Sequence, residues 1–242
     1  MGLFPLAAAL VSGVFSLSLF RQFLDRRRPH QLAWGTALAA FAAASLFASI
    51  GMFAGWSPAL FRSYYLFGAL VNVPILALGT AYLYLPRRVA HLAALAVAAA
   101  SLYGALAVFG GGMNADALLA SEGIPMGRDV MPEGVRALSR YYSYTGFLVV
   151  LAGAIWSAAR LARRPGERSR RLAQGNALIA AGTVVVAIAS AFARQGQGSV
   201  FAVGLAAGVS VMYAGFLRTS AQAGTKQAAE PAEPAGRSRA VT

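Results

Sequence analysis

Seven long apolar runs constrain this chain more than anything else in it. They cover residues 3–24, 32–54, 59–85, 89–110, 139–161, 172–193 and 199–217. Each is about long enough to cross ~30 Å of hydrocarbon as a helix rising 1.5 Å per residue. Backbone polar groups must pair inside such a span, and a helix does this within one segment. Alanine and leucine dominate the runs, which suits helices and not barrel strands. The expectation is an all-α, polytopic seven-helix transmembrane bundle over residues 1–220, followed by a tail. The seventh run is the shortest, and six spans is the competing count.

Composition supports the membrane reading. Of the 242 residues, 58% are hydrophobic and 12% charged, whereas soluble domains carry about 25% charged residues. Twenty-one basic residues against eight acidic give a net charge of +13. The basic residues cluster between apolar runs, which is a topology signal and argues against nucleic acid as a partner. Sixteen of them fall on one side: Arg21, Arg26–Arg28, Arg87, Arg88, Arg160, Arg163, Arg164, Arg168, Arg170, Arg171, Arg218, Lys226, Arg237 and Arg239. Only Arg62, Arg128, Arg136, Arg140 and Arg194 fall on the other. The positive-inside rule then places the N-terminus outside the cell membrane and the C-terminus in the cytoplasm. The first run lacks a basic flank before it and reads as an inserted helix, not a cleaved leader.

Two segments lie outside the spans. Residues 221–242 are rich in Ala, Glu, Pro, Gly and Arg, lack aromatic residues and are expected to be disordered. The outer loop 111–138 carries Asp116, Glu122, Asp129 and Glu133 with Pro125 and Pro132 as breakers. It reads as a mobile connector in preference to a lid.

A shift of 140 positions aligns residues 32–41 with 172–181 at six of ten identities, and pairs Gly13 with Gly153, Phe61 with Phe201, Gly68 with Gly208 and Val71 with Val211. This register predicts a 3+1+3 parallel repeat, with the fourth helix as linker and any site between the halves. In that plan the chain resembles SWEET-type sugar transporters and the seven-helix rhodopsin scaffold. The resemblance is architectural. The paired-proline signature of the former is missing, and the only lysine, Lys226, lies in the tail, so a retinal Schiff base is excluded. The chain is also similar to small seven-helix membrane proteins of high-GC bacteria.

Polar residues inside spans mark the candidate sites, because they are costly there and turn toward the bundle or a cavity. On the third span Arg62, Tyr65, Ala69, Asn72, Leu76 and Gly79 follow helical 3–4 spacing and read as one face. Pro74 lacks an N–H and frees a carbonyl about one turn earlier, so a kink between Gly68 and Gly79 is expected. The sixth span carries Asn176, Thr183, Ser190 and Arg194; the seventh carries Ser199, Ser210 and Tyr213. At the outer end Arg62, Tyr64 and Tyr65 join Arg140, Tyr141, Tyr142 and Tyr144 in an Arg- and Tyr-rich mouth suited to an anionic or polar aromatic ligand. The expected ligand-binding set is Arg62, Tyr65, Asn72, Tyr141, Tyr144, Thr183 and Ser210. Set against it, interfacial tyrosines form the ordinary aromatic belt, helix-end arginines snorkel, and small residues such as Gly204 and Gly208 are packing seams.

Enzymatic chemistry has little to stand on. No carboxylate lies inside an apolar run, and neither HExxH nor GxSxG occurs. There is no cysteine, His30 and His91 sit at helix ends, and Gly110–Gly112 reads as a helix stop. No catalytic residue, metal or cofactor is expected. Beside the lipid bilayer, the expected partners are a small-molecule ligand and a membrane or cytoplasmic protein. The leading expectation is small-molecule binding or facilitated transport between two three-helix halves. The alternatives are a structural or assembly subunit without a ligand, and a seven-helix sensor signalling to a cytoplasmic partner.

Overall fold

The computed structural model describes residues 2–194 and 197–228, giving the backbone alone at 168, 193, 194, 198, 199 and 219–228. Among the described residues there is no strand, and seven helices are long and apolar enough to span a membrane. We label the helices α1 (Leu3–Arg26), α2 (Pro29–Ala54), α3 (Pro58–Tyr84), α4 (Arg87–Gly110), α5 (Ala115–Leu119), α6 (Gly127–Val130), α7 (Glu133–Ala162), α8 (Glu167–Arg194) and α9 (Gly198–Ala228).

Local chemistry sets the boundaries. Arg27 closes α1 in the left-handed region at φ 51° and donates its N–H to the Phe23 carbonyl, and Pro29 opens α2 two residues later. Pro at a first helical position loses no bond, since that N–H has no intrahelical partner. Ser57 caps α3 by accepting from the Leu60 N–H, with Pro58 at the first turn. The helices outrun the apolar runs: α7 begins at Glu133, not 139, and α9 continues to Ala228, eight residues into the expected tail. A helix can continue past the hydrocarbon because water solvates its polar side chains there. The rest of that tail, 229–242, lies outside the described residues.

Six spans form a ring in which α1 packs on α2, α2 on α3, α3 on α7, α7 on α8, α8 on α9 and α9 back on α1. Helix α4 sits outside the ring against α3, and more lightly against α7. Only 11% of its apolar window is buried, against 44% for α2, so α4 is peripheral. This neighbour order is compatible with a 3+1+3 plan. Gly68 approaches Ala44 on α2, whereas its counterpart Gly208 approaches Gly182 and Val186 on α8, the face opposite to the counterpart of Ala44, Val184, which is exposed. The register does not extend to the first and fifth spans. Ala8, Phe15 and Ser16 are buried, while Leu148, Ile155 and Trp156 at the matching positions are exposed.

Two apolar clusters fill the ring. The inner one joins Phe15, Leu19, Leu38, Met212 and Phe216, with Leu76 of α3 packed against it. The outer one joins Trp56, Phe61, Tyr65 and Leu70 to Leu118, Val130, Met131 and Val135. The segment expected to be a mobile connector therefore folds as a cap. Its apolar residues Leu118, Ile124, Val130 and Met131 have α3 to bury against, which outweighs the charges and prolines that suggested a loose loop. Asn114 caps α5 and donates its N–H to Val130 O at 2.9 Å, and Trp56 Nε1 donates to Gly123 O at 2.6 Å.

Candidate functional site

The residues expected to form one face of α3 are split by the backbone. Residues Leu66–Val71 form a π-helical turn with i→i+5 bonding. A wide turn of this kind inserts one extra residue, which rotates everything after it by about 100°. Arg62 and Tyr65 precede the turn and belong to the outer cluster; Asn72, Leu76 and Gly79 follow it. Pro74, three residues after the turn, has no N–H to give to the preceding turn. From α7 the Ser143 hydroxyl donates to Ala69 O at 3.2 Å. The π-helical turn thus ends three residues before Pro74, and one carbonyl within it is met by a neighbouring helix.

The outer residues are engaged with the protein itself. The Arg62 guanidinium donates to Phe109 O and Gly111 O, each at 2.9 Å. It thus caps the C-terminal end of α4, where unpaired carbonyls and the negative end of the helix dipole favour a cation. The Tyr65 hydroxyl shares a 3.0 Å hydrogen bond with Ser139 Oγ. Its ring lies beneath Gly127, where a Cβ would come within 2.6 Å of it, so only glycine lets the cap close at that point. Glu133 ion-pairs with both Arg136 and Arg140. Tyr142 donates to Ala100 O at 3.0 Å, while Tyr141 and Tyr144 are 70% and 52% exposed. The expected mouth is therefore closed: its cations face carbonyls and a carboxylate, and two of its tyrosines point away from the bundle.

The polar stripes of α8 and α9 turn inward on their own backbones. Asn176 Nδ2 donates to Leu172 O at 3.0 Å, Thr183 Oγ1 to Ile179 O at 2.7 Å, and Ser190 Oγ to Val186 O at 2.8 Å. Ser210 Oγ donates to Ala206 O at 2.7 Å and is exposed. Each donor reaches the carbonyl four residues back, the usual bond of a mid-helix hydroxyl. The side chains of Arg194 and Ser199 lie outside the described residues.

Asn72 differs from the hydroxyls and the amide of α8 and α9. It is the fifteenth of the 27 residues of α3, near mid-span. Its Oδ1 is buried with no hydrogen-bond partner. Its neighbour Val71 packs against the outer cluster, and Leu76, one turn on, packs against the inner one. The amide thus marks the boundary between two apolar cores. One turn further, Trp34 Nε1 donates to Leu76 O at 3.1 Å and ties α2 to the same stretch. Of the seven candidates, two keep a buried polar atom without a partner, Asn72 at Oδ1 and Arg62 at Nε, and of these Asn72 alone lies near mid-span; the structure does not gather the other six around it.

Ser139 and Ser143, outside the expected set, lie on the face of α7 that meets α3, while Tyr141 and Tyr144 are exposed. Their signal was the 3–4 spacing of Ser139, Ser143, Gly146 and Val150, a small-residue stripe. With this geometry the chain is defined as a seven-span, all-helical membrane protein set in a lipid bilayer. Comparison with models of known families, with curated proteins and with solved structures finds no match.

Proposed function

We propose that this chain binds a small polar molecule between its three-helix halves, with Asn72 as the contact that recognises it. It sits in the cell membrane with its N-terminus outside and its basic end, with the C-terminus, in the cytoplasm. The reading rests on the unpartnered Asn72 Oδ1, buried at mid-span beside the wide turn of α3. Leaving a buried acceptor unpaired costs about 1–3 kcal/mol, and intramembrane polar groups cluster at ligand paths. π-turns inside α-helices are frequent at functional sites for the same reason: they are less stable than the helix they interrupt. An acceptor in an apolar surround favours a neutral ligand that donates a hydrogen bond. The ligand is bound unchanged, since the site holds no acid–base pair, and movement across the bilayer, where it occurs, is facilitated and not ion-coupled.

The absence of cysteine makes the test direct. Asn72→Cys and, as a rim control, Ser63→Cys are treated in membranes with a small charged thiol reagent, which needs water because the thiolate is the reacting form. Slow but measurable labelling at Asn72→Cys, from opening of a closed cavity, is the expected result. Complete protection over hours, with Ser63→Cys reacting, would rule out an aqueous route to the amide.

The assembly reading has one observation in its favour. Helix α4 shows Leu92, Leu95, Leu102 and Leu106 on its outside, each more than 60% exposed. A partner helix could cover that face as readily as lipid. Co-purification of a larger complex in mild detergent, lost on Leu95→Gln/Leu102→Gln, would support it.

A further inference from the structure

The end of α7 and the start of α8 diverge around the turn that joins them and leave an open groove of about 920 Å³, within the ~300–1,000 Å³ range of ligand sites. Half of its lining is alanine, including Ala158 and Ala162 from α7 and Ala173 and Ala177 from α8, with Gln174 of α8 beside them. Its rim carries Arg164 and Arg170. Glu167, the carboxylate in the groove, is ion-paired with Arg171. Among the described residues no carboxylate pairs with Arg164 or Arg170. On the same two helices Ile155 and Ile188 are each 54% exposed. Two cations beside an alanine-rich wall match an amphiphile with an anionic head.

We propose that this groove seats one anionic diacyl phospholipid. Arg164 and Arg170 hold its phosphate by charge-assisted hydrogen bonds, for which the guanidinium fork is suited. One acyl chain lies along the alanine wall, whose short side chains leave the space a chain needs. Basic pockets between spans on the cytoplasmic side are recognised lipid-headgroup sites. The inference requires the membrane setting and is independent of Asn72.

The test follows the unfolding midpoint of the purified full chain in detergent during titration with phosphatidylglycerol, matched phosphatidylcholine or inorganic phosphate. Phosphatidylglycerol alone should raise the midpoint. Arg164→Ala/Arg170→Ala should weaken that response about twentyfold to thirtyfold, at roughly fivefold for each cation near the surface. Arg87→Ala/Arg88→Ala, a basic pair on the same side, should change it less than twofold. Ala162→Trp should abolish it with both arginines present, while its lipid-free midpoint matches that of the parent. An equal response to phosphatidylcholine would remove the headgroup assignment. An equal response to inorganic phosphate would leave an ion site and no lipid. Equal loss in the Arg87/Arg88 variant would reduce the effect to general charge, and an unaltered response in Ala162→Trp would remove the chain seat.

Discussion

The wide turn of α3 and the seam between α8 and α9 carry the same kinds of residue, and the structure uses them in opposite ways. The seam places Asn, Ser and Thr at helical spacing among alanines and glycines, and the wide turn sets the single Asn72 beside Gly68, Ala69 and Pro74. In the seam, each hydroxyl or amide donor reaches the carbonyl four residues back. The glycines let the backbones meet: a Cβ at Gly208 would lie 2.6 Å from Val186 Cγ2 and 3.0 Å from Gly182 O. Such a seam is complete, with tight packing and no polar atom in need. At the wide turn the accounting does not close within α3. Pro74 has no N–H, Ser143 reaches the Ala69 carbonyl from another helix, and Asn72 is left with a buried acceptor unpaired. A polar residue in a membrane helix therefore signals function less by its type than by whether its partners lie within reach.

The comparison breaks most readily at the seam. Gly208→Val forces a branched side chain into the space held by Val186 and the Gly182 backbone. Overpacking of this kind costs about 3 kcal/mol at the upper end of its usual range. A denaturant titration of the detergent-solubilised chain should show that loss, together with splayed α8 and α9 in crosslinking. A parent-like midpoint would mean that the two helices do not meet there.

Asn72→Leu should act in the other direction. The two side chains have the same number of heavy atoms, and the change removes the unpaired acceptor along with the amide. The ligand-free protein should gain about 1 kcal/mol, the lower end of the cost of a buried unsatisfied group. Any ligand-dependent stabilisation should disappear at the same time. A loss of 1 kcal/mol or more would show that the amide makes a structural bond, and the site would lose its anchor.

The sequence revealed the fold more fully than the site, for physical reasons. A span must be ~20 apolar residues long whatever its neighbours are, so the seven helices were legible from hydropathy alone. Arg62 was legible as a cation at the rim of α3, but not as the cap of α4. The Phe109 and Gly111 carbonyls it meets lie almost fifty residues away, and nothing local encodes the meeting. The single stripe from Arg62 to Gly79 assumed 100° per residue throughout. Pro74 and Gly68 hinted at a kink, yet one extra residue in the turn separated Tyr65 from Asn72. The cap over residues 111–138 was misjudged because its charges are conspicuous, while the four apolar residues that anchor it are scattered.

A smaller effect isolates the cause of the wide turn. Ser143→Ala removes the donor to Ala69 O and should cost about 0.6 kcal/mol, the average for an interhelical bond in a membrane bundle. Pro74→Ala restores a backbone N–H that can meet a carbonyl of the preceding turn. If Pro74 is why Ala69 O needs Ser143, the serine should become dispensable once the proline is gone. The coupling in a double-mutant cycle would then be comparable to the whole Ser143 effect. Independent effects would detach the serine from the proline and leave the turn to another cause.

The smallest expected effects are the most telling about the expected site. Thr183→Val preserves shape and removes one hydroxyl, and Ser210→Ala removes another from an exposed position. Both hydroxyls donate to carbonyls inside their own helices, where the backbone amides supply a bond in any case. Their removal should strand no buried group, so each change should stay within about 0.5 kcal/mol, the ordinary range for substitutions away from special features. Any ligand response that depends on Asn72 should survive them. If Thr183→Val instead weakened that response tenfold while leaving stability unchanged, the α8 hydroxyl must turn from Ile179 O to the ligand in the bound state. The site would then extend across both halves, and the contrast between the wide turn and the seam would hold only for the ligand-free protein.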